Sequence, residues 1–212
     1  MSGETSRGRD AAGPARRGRY HHGDLADALV ETAITLIAEE GAAAFSMAEA
    51  SRRLGVAPSA PYRHFADRDA LLAAVAVRAA GLLSDLLDRQ AAAGTPEQRL
   101  AAAARAYVRF ADEHRPLFQA LAGSGLDKDR HPEIARAAEP VGAVFLSAAA
   151  EVAGGDQAAA ARLVSAIVAT AHGHATLMLD GTFGSGREAA EAAARGAAAA
   201  ARALIAGRPA LA

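Results

Sequence analysis

Ser46-Met47-Ala48-Glu49-Ala50-Ser51-Arg52-Arg53-Leu54-Gly55-Val56-Ala57-Pro58-Ser59-Ala60-Pro61-Tyr62-Arg63-His64-Phe65 is the stretch whose reading decides the fold. Ser46 and Glu49 have the spacing of a capping box, in which the serine oxygen accepts the N–H three residues on. Ala50, Leu54 and Val56 are the apolar positions that pack two short helices together. Gly55 stands where the first of these must stop, because a left-handed C-terminal position costs least at glycine. Pro58 falls at the first turn of the second, where a missing N–H is not needed. Ser59, Tyr62, Arg63 and His64 remain for the outer face. The pattern predicts a helix-turn-helix with an exposed second helix.

Working outward, residues 1–22 are rich in Gly, Ser, Arg and Pro and nearly devoid of apolar side chains, which predicts a disordered basic arm. It is either a solvated tail or an arm that adds contacts to nucleic acid. From Asp24, a candidate N-cap, Leu25, Leu29, Ala33, Leu36 and Ile37 recur at helical spacing, and Gly41 ends the helix. Phe45 is an apolar anchor before the Ser46 cap. Leu29, Ala33, Leu54, Val56 and Phe65 are the expected core of this unit.

Asp67 caps a long helix to about Gln90, striped with leucine and alanine and long enough, at roughly 35 Å, to join two units. Thr95-Pro96-Glu97-Gln98 opens the next helix, which runs to His114. Arg115-Pro116 restarts the chain into a short helix holding Leu117, Phe118 and Leu121, followed by a loop to Pro132. A helix over about Glu133–Ala153 is expected to kink at Pro140. Asp156 caps the next, Gln157–Leu179, and the last covers Arg187–Ala206. The former is apolar nearly all round and the latter is mostly alanine, so both need partners on several sides. One chain does not cover these faces, which implies a homodimer through the last two helices as a four-helix interface.

Of the 212 residues 51% are apolar but only 4% aromatic, and the surplus is alanine, which favours close-packed helices over sheets. The expected fold is all-α: a three-helix unit over 23–70 and a helical bundle for ligand binding and dimerisation over 71–207. The net charge of −1 conceals an uneven distribution, since Lys128 is the only lysine and arginines crowd the first residues and the Ser46–Arg68 region. That placement, rather than the net charge, points to nucleic acid. With no cysteine there is no disulfide, thiolate site or cysteine nucleophile. No signal-peptide core and no charge-free apolar run of membrane-spanning length is visible, so the expected location is the cytoplasm without a membrane partner. No phosphate loop or nucleophile elbow is present, which excludes the commonest catalytic classes and implies no cofactor.

The segment from Leu25 to about Ala76 resembles the DNA-binding domain of the TetR family of one-component transcriptional regulators. The resemblance lies in the leading helix ending at Gly41, then Phe45-Ser46-Met47, Leu54-Gly55-Val56, Tyr62-Arg63-His64-Phe65 and Asp67-Arg68-Asp69-Ala70-Leu71-Leu72. The family pattern usually has a polar residue at the position of Ala57 and leucine at that of Pro61. His172-Gly173, followed by Leu177 to Gly181, is similar to the C-terminal domain type named for a Trp-His-Gly motif, with Ala171 in place of the tryptophan. The resemblance implies an all-α homodimer that binds a palindromic operator, as a repressor, and releases it when a small molecule enters the C-terminal domain.

Carried over by position, Ser46 and Arg53 are expected at phosphates or the groove, and Ser59, Ala60 and Arg63 at base edges. Tyr62 and His64 are expected as phosphate clamps and Arg68 as a contact to the DNA backbone. Tyr107, Phe110, His114, Phe118, Phe145, His172 and Thr176 form a mainly apolar set with a few polar groups, as in ligand pockets; the competing reading makes them plain core. His172 and His174 lie two apart and cannot share a helical face, so no metal site is expected. Two other readings stay open from the sequence: a small helical enzyme or cofactor-binding protein with an incidental helix-turn-helix, and an interaction module that does not bind DNA.

Overall fold

A computed structural model describes residues 22–122, 125–127 and 129–208. The basic arm read over residues 1–22 lies outside the described residues apart from its last position. Among the described residues eight α-helices follow one another: α1 His22–Glu40, α2 Met47–Leu54, α3 Arg68–Gln90, α4 Pro96–Glu113, α5 Arg115–Ala122, α6 Pro132–Val152, α7 Gln157–Leu179 and α8 Arg187–Ala206. No strand occurs among the described residues.

Four of the expected caps are formed by the side chains that the sequence singles out. Ser46 accepts from the Glu49 N–H (3.2 Å), Asp67 from Ala70 (2.8 Å) and Asp156 from Ala159 (3.0 Å). Thr95 and Gln98 close a full capping box, each side chain bonded to the other's backbone N–H. Gly55 ends α2 with φ +65°, in the left-handed region where any other residue would be strained. Asp24 is not the cap of α1, which begins two residues earlier at His22.

One expectation fails locally. The second helix of the helix-turn-helix is a single 3-10 turn, Pro61–Arg63, not an α-helix. An α-helical bond would need Pro61 to donate to the Ala57 carbonyl, and proline has no N–H. The Ala57 carbonyl instead takes the Ala60 N–H at 2.9 Å, and Arg63 and His64 bond three residues back to Ala60 and Pro61. Only at Phe65 does an i−4 bond, to Pro61, return (3.0 Å). The ring of Pro61 itself is buried, whereas Tyr62 is 56% exposed.

A continuous apolar core runs from Leu29, Leu36 and Ile37 of α1 through Leu71, Leu83 and Leu87 of α3 to Phe110, Phe145, Ile167 and Ile205. Leu54 and Phe65 are half-buried against it. The central element is α3, which packs on α1, α4, α5 and α6. By length and composition α3 is apolar enough to cross a bilayer, yet more than half of that window is buried inside the fold. Its Arg78 pairs with Glu31 of α1 at 2.7 Å. Alanine lets α8 lie close along α4 and α7: Ala190, Ala193, Ala194, Ala197, Ala198 and Ala201 are all buried.

Arg68 fastens the start of α3 to the loop before α2. Its Nε donates to the Phe45 carbonyl at 2.9 Å, its Nη2 to the Ala42 carbonyl and its Nη1 to Asp69 at 3.2 Å. The guanidinium carbon stands 6.0 Å from the centre of the buried Phe45 ring. Arg68→Ala leaves two part-buried carbonyls without these donors and is expected to cost about 1–3 kcal/mol. Urea unfolding of the two proteins, compared at equal m-value, measures this loss.

Candidate functional site

Two regions emerge, one at each end of α3. At its N-terminus the 3-10 turn carries Ser59, Tyr62 and Arg63 outward, with Ala60 and His64 half-buried beside them. Ser46 is exposed at the head of α2 on the same unit, and its oxygen already serves as the cap.

The arginines of this unit divide into engaged and unengaged. Arg53 donates to Glu39 of α1 through both terminal nitrogens, one of them at 3.0 Å, and its Nε reaches Glu49 at 3.2 Å. Arg52 forks onto Glu49 at 2.8 and 2.6 Å. Arg68 is committed to the Phe45 and Ala42 carbonyls. Arg53 and Arg68, both expected at DNA from the sequence, thus have intramolecular partners, because Glu39 and the α1–α2 loop carbonyls lie within reach only in the folded chain. Among the described residues the side chain of Arg63 has no such partner and stands exposed. A guanidinium in that state offers its full set of donors to a base edge or phosphate.

Glu49 is the hub of the arginine cluster. Hydrogen bonds from Arg52 first, and then from Arg53, hold its carboxyl well below the usual range, at about 2. Arg53 likewise lowers Glu39. A depressed carboxylate contributes stability above its unfolded pKa and loses it as pH falls through the folded value. The stability difference between the parent and Glu49→Gln is therefore expected to be constant above about pH 5 and to vanish toward pH 2. Thermal melts across that pH range read it.

The second region is an apolar cavity of about 500 Å³ between α3, α4, α6, α7 and the end of α5. Tyr107, Phe145 and His172, three of the seven side chains expected here, line it together with Leu83, Ile134 and Val141. The Tyr107 hydroxyl and His172 Nδ1 lie 3.2 Å apart in hydrogen-bond contact, the one polar pair in an otherwise hydrocarbon wall. Burial pushes the Tyr107 phenol up to about 12, so it stays a neutral donor or acceptor at ordinary pH. Phe118 stands behind this pair, edge-on to Tyr107 at 5.8 Å and tilted against His172 at 5.6 Å.

The remaining three expected residues do not line the cavity. Phe110 is fully buried in the core and His114 forms the C-cap of α4, their rings 5.1 Å apart. Thr176 lies on the exposed side of α7, one turn past His172. What the sequence reading missed is the rest of the α6 wall beside Phe145: Ile134, Ala135, Ala138, Val141 and Gly142. Their spacing of three and four was visible, but alanine and glycine carry no chemistry that marks a pocket. Among the described residues no three His, Asp or Glu side chains gather as metal ligands.

Comparison with known proteins places this geometry. Residues 29–75 match the family model for the tetR family of bacterial regulatory proteins, and residues 100–201 match that for a tetracyclin repressor-like C-terminal domain. The chain belongs to the TetR family of transcriptional regulators. Membership excludes the helical-enzyme reading that the sequence had left open. The HTH-type transcriptional regulator BetI of Rhizobium meliloti (strain 1021) is 34% identical over 90 residues, which is 42% of this chain and 44% of BetI. The match thus spans less than half the length of that relative. A protein of unknown function from Rhodococcus sp. RHA1 superposes with a TM-score of 0.69 at 29% identity, over 85% of this chain and 97% of that one. A structure from Streptomyces coelicolor A3(2), described as a possible TetR family transcriptional regulator, is 25% identical with a TM-score of 0.60, over 88% of each chain.

Gly142 provides a direct probe of the cavity. Gly142 stands exposed at the open edge of the cavity, and a Cβ placed there meets no heavy atom within 4 Å, so a leucine obstructs the mouth without displacing backbone. In Gly142→Leu the neutral dye N-phenyl-1-naphthylamine is expected to lose at least tenfold in affinity relative to the parent. A fluorescence titration with matched circular dichroism spectra decides this.

Proposed function

We propose that this TetR-family regulator acts in the cytoplasm as a repressor, binding a palindromic operator as a homodimer and leaving it when a small apolar or amphipathic molecule fills the cavity. The observation that carries the reading is the exposed, unengaged Arg63 beside Tyr62 on a capped helix-turn-helix, set one long helix away from an apolar cavity. In this reading Arg63, Ser59 and Ala60 face base edges, while Ser46, Tyr62 and His64 address phosphates. Arg53 and Arg68 hold those residues in position and add charge near the phosphates. The division at residues 70 and 71 then separates a reading head from a sensing and dimerising bundle.

The exposed apolar side chains of Leu177 and Phe183, 43% and 42% accessible, support pairing of two chains through α7, α8 and the turn between them. Coupling runs along α3, because Leu83 on this helix lines the cavity and Arg68 at its start grips the α1–α2 loop. A ligand that spreads the cavity wall shifts α3 and moves the two reading heads away from the roughly 34–36 Å of one DNA turn. It works only by binding the released state more tightly than the DNA-bound one.

A gel shift against the DNA upstream of the protein's own gene tests the reading. Arg63→Ala and Tyr62→Ala are each expected to weaken binding about tenfold or more, with unchanged melting curves, since both side chains are exposed. Undiminished binding by both variants contradicts this assignment of the reading head, and binding insensitive to salt contradicts DNA recognition altogether.

A further inference from the structure

On the opposite side of α4 from the apolar cavity lies a second concavity of about 720 Å³, between α4, α8 and the C-terminal end of α3. The two share no lining residue. The spacing along α4 explains the separation: Ala102, Arg105 and Arg109 fall on one helical face, and Tyr107 on the other. On α8, Arg195, Ala199 and Arg202 repeat the same spacing toward the same groove.

We propose that this groove is a binding site for an amphipathic organic anion, a flat apolar body ending in a carboxylate, sulfonate or phosphate. Arg105, Arg109, Arg195 and Arg202 wall it, and alanines of α4 and α8 form its floor. Three of the four guanidiniums share two carboxylates. Glu191 serves Arg105 and, at 3.8 Å, Arg195, while Glu113 serves Arg109 at 3.1 Å. Arg202 has no ion-pair partner among the described residues. Gln98, also in the lining, gives its carbonyl oxygen to the Thr95 N–H, so its free end is the donating NH2. The polar rim therefore presents donors and positive charge in excess, above an apolar floor that close alanine packing leaves open. Guanidinium forks grip planar or tetrahedral oxyanions bidentately. Because Arg105, Arg109 and Arg195 are about half exposed, binding is salt-sensitive.

The test is a fluorescence titration of the full chain with 1-anilinonaphthalene-8-sulfonate, in the Gly142→Leu background so that the mouth of the apolar cavity is obstructed. The anionic dye is expected to bind in this background, to weaken severalfold between 50 and 300 mM salt, and to lose at least tenfold on adding Arg195→Gln with Arg202→Gln. Both arginines are exposed, so circular dichroism and melting curves should not change. The neutral N-phenyl-1-naphthylamine, titrated against the chain with Gly142 intact, is expected to bind equally with and without the arginine substitutions. Dye affinity within twofold of the parent in the double-arginine variant overturns the proposal, as does loss of the anionic dye through Gly142→Leu alone. Sedimentation that shows the arginine variants dissociating a dimer, with dye binding falling in proportion, also overturns it, since the groove is then a contact between copies.

Discussion

Arg68 carries the bond on which the architecture turns. Its guanidinium donates to the Phe45 and Ala42 carbonyls while its backbone begins the first turn of α3. Loop carbonyls between two helices have no helical partner, and leaving them buried and unpaired costs more than the bond itself gains. By meeting that need from the first residue of α3, the chain locks the helix-turn-helix to the helix that also lines the cavity. Asp67, the cap immediately before it, fixes where α3 starts, so cap and clamp together set the register of everything downstream.

The same economy governs the other arginines. Arg52 and Arg53 converge on Glu49, and Arg53 continues to Glu39, tying α2 to α1 through charge where α2 is too short to bury much apolar area. Partly exposed pairs of this kind are individually weak but orient side chains when they share a hub. What they leave over is informative. Among the described residues the unengaged guanidinium of the helix-turn-helix is Arg63, and that of the α4–α8 groove is Arg202. The 3-10 turn adds a constraint of its own: with no donors at Pro58 and Pro61, the segment is rigid and short, and its Tyr62 is pushed outward.

Most of the fold was legible in the sequence. Helix boundaries from α2 to α8 follow caps and glycines that act locally, and Ser46, Gly55, Asp67, Thr95 and Asp156 do in the structure what their spacing announces. The candidate sites were legible only in part. Tyr107, Phe145 and His172 line the cavity, but Phe110, His114 and Thr176 sit elsewhere, because each lies one or two turns farther along its helix and no local signal records where along a helix the cavity ends. The alanine and glycine wall of α6 was silent for a related reason: a pocket is made by what a side chain leaves empty.

By itself the sequence determined the all-α class, the caps, the order of the helices and membership of a DNA-reading family, since each rests on contacts three or four residues apart. Tertiary structure alone decided which arginines are spent on Glu39, Glu191 and backbone carbonyls and which remain available. It also decided that the ring of Pro61 is buried, and that α4 presents a hydrocarbon face to one concavity and guanidiniums to another. Those outcomes depend on partners 14 to 86 positions away along the chain, from Glu39 with Arg53 to Glu191 with Arg105, and only folding brings them within reach.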